Sequence, residues 1–320
     1  MLLLLMNSLD DMIAAGFDQV SPAALEPVCQ AIRSRFGEAV VGILFYGSCL
    51  RQGDPLEGVV DLYVVVSDYR AAYSDTGARL MARILPPTVG YLETQVGDRC
   101  LRAKFAVISL RDFRCGTSRR WFHSYLWGRF AQPSLLLDAR DETARRELIE
   151  CLASAIRTFM QKTLPLAPTP ADAVSLWVHA LGLSYKAELR PESAERAHEL
   201  VIAGRSYYQQ ATVLYADTAA GLTQLPEEGV DEPLFETNFG WWHKWIAGLS
   251  WGTRRVSGKL LTVARLFKAL GTFEGGLDYA VWKLERHTGV EIVLSERTRR
   301  RPWLYVWGEL FRLYRSGALR

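Results

Sequence analysis

A glycine-serine turn and a nearby aspartate are the residues of this chain best placed to do chemistry. Gly47 and Ser48 end an apolar run, and Asp61 stands thirteen residues after Ser48, near the start of a second apolar run. Because Gly47 lacks a Cβ and Ser48 adds a hydroxyl, the backbone N–H groups of the turn can approach a phosphate. If the two runs pair as strands, Asp61 returns beside the turn. A carboxylate beside a phosphate-binding turn suits a Mg²⁺-nucleotide site, which favours nucleotidyl transfer.

The same residues also have a purely structural interpretation. Gly-Ser pairs are common in turns, and an aspartate at the edge of a strand often only caps a loop. Both interpretations require two strands joined by a short loop. The flanking elements and motifs are therefore needed to choose between the functional and the structural interpretation.

The first half of the chain alternates between helical and strand patterns. Apolar spacing predicts a helix within residues 22–36, and a second helix begins at Tyr69 and ends before Pro86-Pro87. The strand candidates are residues 40–45, the run from Val59, residues 88–96 and residues 104–109. Residues 113–130 and 143–160 have helical spacing. This order predicts an α/β unit with a mixed sheet of about four strands.

The second half of the chain has an almost wholly helical pattern from Ala171 onward. A proline cluster at 165–170 precedes it, and such clusters mark connections. We therefore predict three parts: an α/β domain at 1–165, a mostly helical domain at 166–296, and a basic, aromatic tail at 297–320 that forms a C-terminal amphipathic helix.

Composition excludes several classes of protein. With 320 residues, 49% of them apolar and 23% charged, the chain is long and apolar enough for a folded core and is not disordered. A net charge of +3 is too small to indicate nucleic acid, and we expect none as a partner. The five cysteines form no Cys-x-x-Cys pair, which argues against a zinc site or a disulfide framework and fits a reducing, cytoplasmic compartment.

Membrane contact, if any, is expected to be peripheral. No uncharged apolar stretch approaches the roughly 20 residues that span a bilayer, and the apolar start at residues 1–6 is too short for a signal peptide. We interpret that start as part of a packed helix. The tail at 297–320 has seven arginines, one glutamate and several aromatic residues, which suits the inner face of an anionic membrane. A C-terminal helix docked on the core, with its arginines in solvent, is the alternative explanation of the same residues.

Four segments of the chain resemble a known family. The turn and Asp61 resemble the polymerase-β-type nucleotidyltransferase superfamily. In order and approximate spacing, four segments further resemble the mitochondrial-type phosphatidate cytidylyltransferases, also called translocator assembly and maintenance proteins. They are Tyr-Gly-Ser-Cys-Leu-Arg-Gln at 46–52, Lys-Phe-Ala-Val-Ile-Ser at 104–109, Tyr-Leu-Trp-Gly-Arg-Phe-Ala-Gln-Pro at 125–133 and Leu-Gly-Leu-Ser-Tyr-Lys-Ala-Glu-Leu-Arg at 181–190. The resemblance covers about residues 40–205, and the last third of the chain departs most from it.

The resemblance implies a reaction and a set of site residues. Phosphatidic acid would attack the α-phosphorus of CTP, pyrophosphate would leave, and CDP-diacylglycerol would form with Mg²⁺ as cofactor. Asp61, Lys104 and Glu188 are the predicted catalytic residues, with Asp61 and Glu188 as the metal ligands. The predicted nucleotide-binding residues are Tyr46, Gly47, Ser48, Arg51, Gln52, Arg129, Ser184, Tyr185 and Arg190.

Several alternatives stay open. Arg129 could instead pair with Asp138 or Asp141, and Glu188 could be an ordinary surface partner of Ser184 one helical turn away. Tyr63 stands where many superfamily members have a second metal-binding aspartate. The acceptor could be a small soluble molecule. The chain could also be a catalytically silent module that binds a nucleotide or a membrane.

Overall fold

A computed structural model of the chain describes residues 7–18, 22–52, 54–188, 194–226 and 232–272. Three sequence predictions lie outside these residues: the packed helix at residues 1–6, the site residue Arg190, and the amphipathic tail at 297–320. The side chains of Arg51 and Gln52 lie outside them as well.

A five-stranded sheet forms the centre of the fold. Its strands are β1 (Val40–Tyr46), β2 (Val59–Val66), β3 (Thr88–Val96), β4 (Arg99–Ser109) and β5 (Leu135–Ala139). They lie in the order β3-β4-β2-β1-β5. Strands β2 and β4 are parallel and every other neighbouring pair is antiparallel, so the sheet is mixed. The predicted α/β class with a mixed sheet is confirmed.

Helices surround the sheet and make up most of the second half of the chain. Those before residue 165 are α1 (Leu9–Phe17), α2 (Glu26–Phe36), α3 (Ser48–Gln52), α4 (Tyr69–Ala72), α5 (Thr76–Ile84), α6 (Leu110–Thr117), α7 (Trp127–Phe130) and α8 (Glu142–Thr163). Those after it are α9 (Ala173–Ala187), α10 (Ala194–Ala203), α11 (Arg205–Thr218) and α12 (Trp241–Thr272). Three short strands, β6 (Ala171–Asp172), β7 (Leu222–Gln224) and β8 (Leu234–Thr237), form a second sheet.

Each face of the central sheet belongs to a different hydrophobic core. Because side chains alternate along a strand, Leu62 and Val64 of β2 point to one face while Tyr63 and Val65 point to the other. The first face packs on α2. The second face packs on α1, α7 and α8, and its core continues through α9 and α11. This second core includes residues on both sides of residue 165, and the division into two domains there stays a prediction.

One helix predicted from the sequence is interrupted in the structure. Residues 113–130 do not form one helix, because α6 ends at Thr117 and α7 begins only at Trp127. The Ser118 backbone and hydroxyl both donate to the carbonyl of Cys115, and a serine that bonds its own backbone ends a helix readily. Between the helices, the Trp127 indole donates to the carbonyl of Trp121. The described part of the second half of the chain is mostly helical and also contains the short strands β6, β7 and β8.

Helix α12 is 32 residues long and is fixed to the rest of the molecule along one face. The Trp251 indole donates to the carbonyl of Lys162, and the Arg254 guanidinium donates to the carbonyl of Phe122. At the far end, the Lys268 ammonium donates to the carbonyls of Leu85 and Pro87. Between them Gly258 lies against the last residue of α9, where a Cβ would collide with the Ala187 carbonyl oxygen.

This contact predicts opposite effects for two glycine substitutions in the same helix. Gly258→Ala should lower the free energy of unfolding by about 1–3 kcal/mol, because the colliding atom belongs to the backbone and cannot move cheaply. Gly252→Ala should raise it by up to about 1 kcal/mol, because alanine favours helix and a Cβ at Gly252 meets nothing within 4 Å. Urea unfolding of both variants measures the difference, and equal effects would contradict the close packing of α12 on α9.

Candidate functional site

Three of the predicted site residues form a row across three neighbouring strands. Tyr46 of β1 pairs with Asp61 of β2, and Asp61 pairs with Lys104 of β4. Paired positions present their side chains to the same face of a sheet. The row therefore lies at the polar end of one face of the sheet. The next residue of β2 on that face is the buried Tyr63. The predicted pairing of the two strands is confirmed, and it brings Asp61 beside the turn.

The turn after β1 packs directly on the Asp61 carboxylate. Gly47 has a φ of 94°, a backbone conformation that favours glycine. A Cβ at Gly47 would lie 3.0 Å from Asp61 Oδ2 and 3.4 Å from Asp61 Cβ. Ser48 follows as the first residue of α3. Glycine is needed here for two reasons, the positive φ and the close approach to the carboxylate.

A cleft of about 370 Å³ opens over this row. Its volume is within the range of small-molecule sites. Strands, the turn and helices α7, α9 and α10 all contribute to its lining, which consists of Tyr46, Gly47, Ser48, Asp61, Lys104, Arg129, Gln132, Pro133, Tyr185, Arg196 and Leu200. Three of these residues are cationic and one is a carboxylate. The excess of positive charge suits a ligand that carries several negative charges.

Arg129 reaches the cleft from α7 and is held by aromatic rings. Its guanidinium lies 5.0 Å from the ring centroid of Tyr46 and 5.2 Å from that of Tyr125. Both distances are within the range of cation–π contacts. Its buried Nε has no hydrogen-bond partner among the described residues. A buried guanidinium donor without a partner is costly, so this position favours an anionic ligand that the protein alone does not supply.

The fold does not pair Arg129 with Asp138 or Asp141, the two structural alternatives. Asp138 instead forms an ion pair with Arg33. Asp141 caps the start of α8 and forms an ion pair with Arg140. Both carboxylates are thus engaged elsewhere, and the Arg129 guanidinium lies against the two tyrosine rings.

Tyr63 lies behind the site and packs against the ring of Tyr46. It is fully buried, and its ring centroid lies 5.4 Å from that of Tyr46 and 4.9 Å from that of Phe130. Burial raises the pKa of the Tyr63 phenol well above its usual value, and the neighbouring Tyr125 adds to the effect. The phenol therefore stays neutral at physiological pH. At the position where the resemblance predicts a second metal-binding aspartate, this chain has a packed, uncharged side chain.

The donor set for a metal ion is correspondingly small. Asp61 is the one carboxylate among the described residues that line the cleft. In the described part of the chain, no group of three or more His, Cys, Asp and Glu side chains is arranged to hold a metal ion. A metal at Asp61 would depend on oxygen atoms from a substrate or from water, which is common for Mg²⁺.

The residues predicted on the helix at 181–190 separate in the structure. Tyr185 lines the cleft, where its hydroxyl donates to the side chain of Gln132. Ser184 is buried, and its hydroxyl packs against Gly128 of α7. Glu188 follows the end of α9 with extended backbone, so the prediction that Ser184 and Glu188 share one helix face is wrong. Glu188 lines a separate cavity of about 10 Å³, a space for about one water molecule.

Four residues that line the cleft had no predicted role. Gln132 and Pro133 lie within a segment that resembles the family, although no chemistry was assigned to them. Arg196 and Leu200 come from α10. Arg196 also forms an ion pair with Glu199 on its own helix. No spacing signal in the sequence connects α10 with the Gly47 turn, because only the packing of α10 on α9 brings them together.

Comparison with known proteins gives little similarity. No protein-family model matches the chain, and no curated protein matches it. A solved structure described as a nucleotidyltransferase-like protein from Exiguobacterium sibiricum 255-15 is 11% identical, with a TM-score of 0.25. That match covers 66% of this chain and 98% of the other. At this level of similarity, neither the fold nor the function of this chain is inferred from the match.

The Gly47 contact predicts a larger effect for one of two glycine substitutions at positive φ. Gly47→Ala and Gly97→Ala should each lower the free energy of unfolding by about 1–3 kcal/mol, because each glycine has a positive φ that strains an alanine. Gly97 has a φ of 59°, and a Cβ there meets nothing within 4 Å. Gly47→Ala should lose more, because its Cβ presses on Asp61. Urea unfolding of the two variants measures this difference, and equal losses of stability would contradict the close contact with Asp61.

Proposed function

We propose that this protein is a nucleotidyltransferase that moves a nucleoside monophosphate from a nucleoside triphosphate to an anionic acceptor. The observation that carries the proposal is the contact between the Gly47 turn and Asp61, inside a cleft that also contains Lys104 and Arg129. A phosphate-binding turn, one carboxylate and separate cations are the groups that transfer of a charged phosphoryl centre requires.

Mg²⁺ fits the donor set of this cleft as the cofactor. The Asp61 carboxylate and the Ser48 hydroxyl are hard oxygen donors that line the same cleft. Magnesium is commonly held by one or two carboxylates together with substrate phosphates and water. When bound, the ion would offset negative charge on the phosphates. Glu188, the second predicted ligand, lies outside this cleft lining.

The side chains of the cleft have separate roles in this reaction. Lys104 and Arg129 would bind phosphate oxygens, and the fork of the Arg129 guanidinium suits two of them at once. An acceptor phosphate oxygen would form a bond to the α-phosphorus. The bond between the α-phosphorus and its bridging oxygen to the β-phosphorus would break, and pyrophosphate would leave with the electron pair. An ionised phosphate acceptor has no proton to lose, so no general base is needed.

CTP and phosphatidic acid are the substrate pair we propose. The support is the resemblance of the segments at 46–52, 104–109, 125–133 and 181–190 to phosphatidate cytidylyltransferases. An acceptor with a phosphomonoester group also suits the three cations of the cleft. We propose that the protein works at the inner face of the membrane, where such an acceptor is embedded.

Pyrophosphate release tests the proposal. The purified full chain is incubated with Mg²⁺, each of the four nucleoside triphosphates in turn, and vesicles with or without phosphatidic acid. We expect release only with CTP and phosphatidic acid together. Release that does not depend on lipid would support transfer to a soluble acceptor instead. No release from folded protein with any nucleotide would overturn the proposal in favour of a catalytically silent module.

Removal of the Asp61 charge should abolish this activity. Asp61→Asn keeps the size of the side chain, and we expect kcat/KM to fall by at least about a hundredfold because one preorganised charge is lost. Asp68→Asn is the matched control. Asp68 lies just beyond the other end of β2, where it caps α4, and asparagine also caps helices well. Equal activity of the two variants would refute the role of Asp61.

Loss of the guanidinium fork at Arg129 should weaken transfer although the positive charge is kept. We expect Arg129→Lys to lower kcat/KM by about 10- to 100-fold, the value of a charge-assisted hydrogen bond. Arg35→Lys is the control, because Arg35 also stacks on two rings, those of Phe36 and Phe105, in the core on the other face of the sheet. An unchanged kcat/KM in Arg129→Lys would exclude a forked contact with substrate.

A further inference from the structure

Helix α12 exposes a continuous set of large apolar side chains. Trp241 is 76% exposed and Leu249 is 61% exposed. The set, here called the apolar face of α12, consists of Trp241, Trp242, Trp245, Ile246, Leu249, Val256, Leu260 and Val263. Single exposed apolar residues are ordinary, but a contiguous patch of this kind marks an interaction surface.

The spacing of these residues places them on one side of the helix. At 3.6 residues per turn, all eight lie within about 140° of the helix circumference. Trp251, Arg254 and Gly258, which contact the rest of the molecule, lie on the opposite side. The helix is thus held to the protein by one face and presents the other face outward.

The charge of α12 indicates which partner the apolar face fits. The helix contains six lysines and arginines and no aspartate or glutamate. Three exposed cations, Lys244, Arg255 and Lys259, lie along one border of the apolar face. Tryptophan and cationic residues together are typical of helices that lie in the interface of an anionic bilayer.

We propose that the apolar face of α12 docks in the plane of an anionic lipid bilayer. Its tryptophans would enter the boundary between headgroups and acyl chains, and the rings of Trp242 and Trp245 are already stacked with centroids 5.1 Å apart. The three border cations would contact lipid phosphates. In the described part of the chain, no helix has the length and apolar character needed to cross a membrane.

Docking through this face would place the end of α9 directly behind the docked helix. Helix α12 packs through Gly258 on the end of α9, and α9 carries Tyr185 into the cleft. The inference does not depend on the proposed reaction, because lipid binding is measured without nucleotide. It concerns a surface other than the tail at 297–320.

Vesicle flotation of the full chain tests the proposal. Vesicles of phosphatidylcholine alone are compared with vesicles that also contain phosphatidylglycerol, at low and high salt. We expect binding to the anionic vesicles that weakens as salt screens the charges. No binding of the wild-type chain to anionic vesicles would overturn the proposal.

Two sets of substitutions separate the apolar and the charged contributions. Trp242→Gln, Trp245→Gln and Leu249→Gln together should weaken partitioning by about tenfold or more, because apolar area no longer leaves water. Lys244→Gln, Arg255→Gln and Lys259→Gln together should weaken it by about fivefold for each charge, on anionic vesicles only. Ile202→Gln is the control, since Ile202 is an exposed apolar residue on α10. It should bind like the wild type.

If the apolar face of α12 is covered by something other than a bilayer, the same variants give different results. Unchanged vesicle binding in both multiple variants would overturn the proposal. A lower melting temperature of the tryptophan variant, with vesicle binding retained, would show that the chain covers the face itself. A change from dimer to monomer on size exclusion, with vesicle binding retained, would show an interface between two copies.

Discussion

The contact between the Gly47 turn and the Asp61 carboxylate is the constraint on which the candidate site depends. It requires β1 and β2 to pair in the register that places Tyr46 opposite Asp61. A slip of one residue would turn Asp61 to the other face of the sheet, into the core that packs on α2. The buried Tyr63 and Val65, on the same face as Asp61, resist such a slip because their burial would be lost. The apolar residues of β2 therefore fix the position of its carboxylate.

The cations of the cleft are positioned by the same packing. Lys104 follows from the parallel pairing of β2 with β4, which places it beside Asp61. Arg129 precedes Phe130, and the buried Phe130 ring packs against Tyr63 and Phe113. Because α7 is only four residues long, this anchor rather than helix stability holds Arg129 over the Tyr46 ring. The polar groups thus meet at the rim of a core that orders each of them.

The sequence predicted the parts of the site that local pattern determines. The apolar runs of β1 and β2 are unambiguous, and their pairing brings Asp61 to the turn. Other features depend on local hydrogen bonds and tertiary packing, which the spacing of apolar residues does not reveal. Helical spacing continues through 113–130, yet Ser118 ends α6 through its own hydroxyl. Helix α9 ends at Ala187, which removes Glu188 from the face of Ser184. Arg196 enters the cleft only through tertiary packing, which no motif indicates.

The tryptophans of α12 show most clearly what the sequence alone does not predict. Trp242 and Trp251 are nine residues apart, which is two and a half turns, so they point to opposite sides of the helix. The amino-acid type alone does not say which of the two belongs to the core. The packing of Gly258 on α9 decides it, because that contact requires the side with Trp251 to face inward. The side with Trp242 is then turned outward. The glycine that brings α12 close to the helix carrying Tyr185 thereby also determines which tryptophans are left for a partner.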